Sequence, residues 1–149
     1  MSPEAHSRLV DLDFITRRSR DFYEYATAVL PASALRGRCQ RLAIAKSEVV
    51  ALLALRLPQA AAPMPGTRPS LRDRVDRCLR RARASLATPD PIRLWDELKR
   101  VETAVAEDCR EGATGSEDAD CRREMAWLLP VLERCRDEFA PADGLDQSV

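Results

Sequence analysis

One carboxylate in this 149-residue chain interrupts an apolar pattern. Glu102 belongs to the series Trp95, Leu98, Glu102, Val105 and Cys109, whose steps of three and four mark one face of a helix. Glu102 therefore borders or enters the buried side. A carboxylate removed from water needs a metal, a cation or a route back to solvent. Two basic residues can reach its level. Arg20 lies 11 residues before Pro31, Lys46 lies 13 after Ser33, and Glu102 lies 10 before Gly112. At a rise of ~1.5 Å per residue these positions share one height in a bundle of helical hairpins. Lys46 also stands between Leu42 and Val49, where another apolar residue would continue the stripe. Lys46, Arg20 or both are expected to supply the cation for Glu102. The alternative is a Glu102 that leans into water, with Arg100 or no partner.

Other reactive groupings are sparse. Cys39, Cys78, Cys109, Cys121 and Cys135 form no CxxC pair, and His6 is the single histidine, so a zinc site is not expected. No glycine-rich phosphate loop and no GxSxG occur. A Cys–His pair would need His6, which is expected in an N-terminal tail. Asp96/Glu97 and Asp137/Glu138 are adjacent carboxylates, but neighbours on a helix point in different directions, so they read as surface charge.

The elements that position these residues are helical. Aromatic content of 5% within a hydrophobic content of 45% favours packed helices built on Leu, Val and Ala. Residues 1–7 read as a tail, and Ser7 can cap a helix to about Leu30 with Leu9, Leu12, Ile15, Phe22, Ala26 and Val29 on its apolar face. Ser33 can cap a second helix to about Leu57. The proline-rich loop Pro58–Pro69 then reads as a stiff crossing. Ser70 opens a shorter helix to about Ala87. Asp90 and Pro91 start the helix of Glu102, and Gly112 reads as its stop. Asp118 or Ser116 caps the last helix, which reaches about Phe139, with Pro130 expected to kink it. Residues 141–149 read as a second tail. The whole is one domain with an ordered core of about residues 8–139.

Formal net charge is zero but unevenly placed. Residues 1–83 carry 16 Lys/Arg against 8 Asp/Glu, and residues 84–149 carry 8 against 16. The halves are expected to be neighbours that neutralise each other. Arg72, Arg74, Arg77, Arg80, Arg81 and Arg83 form a basic surface on the third helix. It is expected to meet acidic groups of residues 96–138 or water. Nucleic-acid binding through it is an alternative, disfavoured because no aromatic is interleaved for base stacking. No apolar run suits a membrane span and the N-terminus lacks a signal-peptide layout, so a cytoplasmic protein without membrane association is expected.

With DFYEYA on helix one, QRLAIAKSEVVALLAL on helix two, and a basic helix feeding directly into DPIRLWDELKRVETAVAEDCRE, the chain resembles the bacterial ferritin-like domains of uncharacterised function. The resemblance covers roughly residues 8–139. It implies an all-α, ferritin-like four-helix bundle of two antiparallel hairpins joined by a long crossover, with an extra short helix in that crossover. It also implies a soluble, often self-associating protein. Active ferritin-like proteins bind two metals with a Glu on each of two helices and ExxH on each of the other two. No ExxH occurs here. The corresponding levels are expected near Ile44 and Ser47 on helix two, Leu128 and Val131 on helix four, and Arg20 or Asp21 on helix one. Only Glu102 stands where a ligand would be expected.

The expected function is a non-enzymatic bundle without metal or other cofactor, acting as an interaction or stress-related structural module, with a homodimer as its expected state. A ferritin-like protein binding metal through unconventional carboxylates is the first alternative, and a nucleic-acid-associated protein using the arginine helix is the second. Leu52, Leu55 and Trp127, beside the main stripes, are the apolar surface a second copy would cover.

Overall fold

The computed structural model describes residues 1–57, 69–88 and 90–140. The expected crossover loop, apart from Pro69, and the expected C-terminal tail lie outside the described residues. Five helices account for nearly all that is described: α1 (Pro3–Val29), α2 (Ala34–Arg56), α3 (Pro69–Ala87), α4 (Pro91–Gly115) and α5 (Ala119–Asp137). No strand occurs among the described residues. No helix there is long and apolar enough to cross a membrane.

The helix starts follow capping chemistry. Ser33, Asp90 and Asp118 each accept a bond from the backbone N–H three residues on, at the starts of α2, α4 and α5. The same device moves the start of α1. Ser2 accepts from the Ala5 N–H, and Pro3 takes the first helical position. Ser2 also donates through its backbone N–H to Asp120 and through its hydroxyl to Asp118, so α1 is tied to the start of α5. Residues 1–7 are therefore not a tail. Ala5 and Ser7 are buried, and His6 is helical.

Gly112 is not a stop. α4 runs through it to Gly115, and Gly112 is buried. An added Cβ there would stand 2.6 Å from Met125 Cγ and 2.9 Å from Arg8 Nη1. The residue permits close approach of α1 and α5 to α4, which is a packing role and not a backbone one.

The strongest packing is between consecutive helices: α1 with α2, α3 with α4, and α4 with α5. Brief connections make each of these an antiparallel pair. α3 also lies against α1, and α5 meets both α1 and α2. The expected short insertion is thus a full member of the fold. α3 and α5 are each 19 residues long. Leu71, Val75, Leu79 and Ala82 bury the apolar stripe of α3 in the common core. A helix with that wide a stripe needs cover on two sides, which α1 and α4 provide.

The two oppositely charged halves of the chain meet across the core. Lys46–Glu102 at 2.6 Å, Arg56–Glu124 at 3.3 Å, Arg41–Glu138 at 3.0 Å and Arg8–Asp108 at 3.6 Å all pair a base from residues 1–83 with an acid from residues 84–149.

Candidate functional site: a buried ammonium, carboxylate and phenol

Three helices converge on Glu102. Lys46 Nζ from α2 donates to Glu102 Oε1 at 2.6 Å. The Tyr23 hydroxyl from α1 donates to Glu102 Oε2 at 2.5 Å. Glu102 itself comes from α4. Tyr23 is 0% exposed, and Lys46 and Glu102 are each 1% exposed. Both carboxylate oxygens are engaged, so the group is neither orphaned nor solvated.

The surroundings set the charge states. Burial is the largest influence on Lys46 and opposes the ammonium, but the charge of Glu102, the nearby Cys135 and the hydrogen bond to Glu102 together outweigh it and raise the amine above its ordinary value. Burial, and then the negative charge of Glu102, push the Tyr23 phenol well up. At neutral pH Lys46 is therefore an ammonium and Tyr23 an un-ionised phenol, both donating to Glu102. The phenol and ammonium hold their protons too tightly for general acid work near pH 7. Burial also pushes the Cys39 thiol up to about 12, so it is a poor nucleophile. Cys109 is held up to about 12 in the same way. All five cysteines are free thiols.

The same shifts predict an alkaline limb of stability. Tyr23 and Lys46 both hold their protons more tightly in the fold than at the ordinary 10.0 and 10.5. Their contribution is fully present below those values and is lost as the pH rises through the raised ones. Urea midpoints should be flat to about pH 8, fall gently above the ordinary thiol value of 9.0, which burial raises for Cys39 and Cys109, and fall more steeply in the ordinary phenol and amine range. The Lys46→Met/Glu102→Gln double variant should fall less steeply. Constant stability of the parent protein up to about pH 11 would contradict this.

Arg20 is not in the centre. Its guanidinium lies 3.4 Å from the neighbouring Asp21 carboxylate, at the edge of α1. The inward row of α1 is Ser19, Phe22, Tyr23 and Ala26, so Tyr23 arrives where Arg20 was expected. A signal for this was present in the sequence. A phenol bordering the stripe needs an acceptor once buried, and Glu102 was the acceptor in want of partners. The inward stripe of α2 is the expected one, with Leu42, Lys46 and Val49 buried, but the ligand levels that the resemblance implies on it are not inward. Ile44 is 57% exposed and Ser47 is exposed, so neither faces the interior; Lys46 does. Leu128 and Val131 on α5 are buried. Asp21 is exposed. Among the described residues no three His, Cys, Asp or Glu side chains converge as a metal-ligand set.

The basic surface divides into two parts. Arg72 reaches back to Asp11 on α1 at 2.6 Å and lies over the Phe14 ring. Arg83 lies over Tyr25, also on α1. These contacts replace the acidic partners expected from residues 96–138. Arg74, Arg77, Arg80 and Arg81 are exposed. Of the adjacent carboxylates, Asp96 and Asp137 are exposed, but Glu97 is buried and paired with Arg100 at 2.9 Å. Glu97 faces α3, whose place in the fold the sequence did not reveal.

Comparison with protein-family models, curated proteins and solved structures found no match to this chain.

Proposed function

We propose that this protein is a non-enzymatic, ferritin-like helical bundle that acts as an interaction or structural module and works without a metal centre. The observation that carries the reading is the position of Lys46 Nζ. It lies against Glu102 in the interior; under the ferritin-like reading this is the level at which a relative would hold a cation. A fixed ammonium answers the charge of the carboxylate and itself offers a metal no lone pair. Tyr23 takes the remaining carboxylate oxygen. The protein is proposed to be cytoplasmic and to form a homodimer. Leu55, 77% exposed on α2, and Trp127 on α5 are apolar surface that a second copy could cover.

The test is anaerobic reconstitution with iron or manganese, followed by chromatography with light scattering and elemental analysis of the eluted peak. The expected result is a dimer with metal well below one ion per chain. Two ions per chain, lost on Glu102→Ala, would establish the metal-binding alternative instead. A monomer at high micromolar concentration would remove the dimer.

A further inference from the structure

The packing of α3 against α4 leaves a groove of about 930 Å³. Its floor includes Val75, Val101 and Ala104, all buried. Its walls carry five cationic side chains, Arg74, Arg77 and Arg81 from α3 and Lys99 and Arg100 from α4.

Many arginines of this protein have an acid. Arg8, Arg18, Arg41, Arg56 and Arg72 each lie within salt-bridge reach of a carboxylate. In the groove only Arg100 does, among the described residues, through Glu97 at 2.9 Å. Glu97 is buried, and its second oxygen has no hydrogen-bond partner among the described residues. It anchors the Arg100 guanidinium at the groove wall. Arg74, Arg77, Arg81 and Lys99 have no carboxylate within salt-bridge distance among the described residues. Like charges gathered on one concave surface raise its potential and draw in a counter-ion.

We propose that the α3–α4 groove is a binding site for a compact, phosphate-rich anion. The guanidinium fork matches phosphate oxygens in pairs, and Arg74, Arg77 and Arg81 present three forks along about 10 Å of helix. The volume is that of a small-ligand site. Two features select a compact ligand over a nucleic-acid strand. Asp96 and Glu107 stand at opposite ends of the α4 wall, and each would repel a phosphodiester chain running on past the cations. No aromatic side chain lines the groove among the described residues, so bases have no surface to stack on.

The experiment is calorimetric titration of the full chain with inorganic tripolyphosphate at physiological ionic strength. One site per chain is expected. Arg77→Gln combined with Arg81→Gln should weaken binding about tenfold or more. Arg74→Gln combined with Lys99→Gln, a second pair from the same walls, should weaken it comparably. Arg134→Gln, an exposed arginine of α5, should change it less than about twofold. Circular dichroism confirms that each variant is folded. Three results would overturn the proposal: no binding of tripolyphosphate, equal weakening by Arg134→Gln, or a poly-glutamate peptide binding as tightly as the phosphate probe. Duplex DNA that binds at this salt and is not displaced by tripolyphosphate would also overturn it, in favour of nucleic acid. None of these outcomes bears on metal content, so the two proposals stand or fall separately.

Discussion

Lys46→Met is expected to destabilise the protein by roughly 3–5 kcal/mol, and Glu102→Gln by a similar amount, while the double variant recovers much of the loss. The asymmetry comes from desolvation. Either single change leaves one charge buried without its counter-ion, 1% exposed in both cases. The double change leaves two neutral side chains of suitable length, and the amide oxygen introduced on α4 can still accept from the Tyr23 hydroxyl. Tyr23→Phe should be milder, about 1–3 kcal/mol, since it only strips one bond from a carboxylate that keeps its cation. Urea denaturation of the parent, the two single variants and the double variant gives the coupling directly. Single effects under about 1 kcal/mol that simply add would show that no buried pair exists in solution.

Gly112→Val should cost about 2–3 kcal/mol, whereas Gly115→Ala should be neutral or slightly stabilising. Both glycines lie on α4, and in a helix either would gain up to about 1 kcal/mol on replacement by alanine from propensity alone. Their surroundings differ. At Gly112 a Cβ meets Met125 Cγ at 2.6 Å, and Met125 is fully buried with nowhere to retreat. The other obstacle, Arg8 Nη1, donates to the Asp108 carbonyl at 3.1 Å, so pushing it aside breaks a contact between α1 and α4. At Gly115 nothing lies within 4 Å. Equal effects of the two substitutions on the thermal midpoint would mean that α4 does not approach its neighbours as described.

Much of the architecture was legible from the sequence because helical periodicity and capping are local. Ser33, Asp90 and Asp118 mark helix starts by side-chain chemistry within three residues. The helical stripe places Glu102 at or inside the border of the buried face, but it leaves open whether the carboxylate turns inward or leans into water. The misreadings concern rotation and neighbours. Arg20 and Tyr23 are separated by less than one turn, so a modest rotation of α1 decides which faces inward. That rotation is set by the partner helices. Gly112 has the same local appearance as a terminator, and only the nearness of α1 and α5 shows it to be a contact. The sequence presents α3 only as a short helix in the crossover, because amphipathicity shows that a helix packs and not how many neighbours it has. Its place between α1 and α4 is what buries Glu97 and forms the arginine-walled groove.

The separation of Lys46 and Glu102 in sequence, 56 residues, has a bearing on which helix can complete the core. The first hairpin is held by neighbouring contacts of α1 with α2, and it carries the Lys46 ammonium on its buried face. That face cannot close over a helix without a carboxylate at the same height except by stranding the charge. Pairing two copies of the first hairpin through this face would set lysine against lysine. The face closes with least penalty on α4 in one register, so the ion pair specifies which helix, at which height, completes the core.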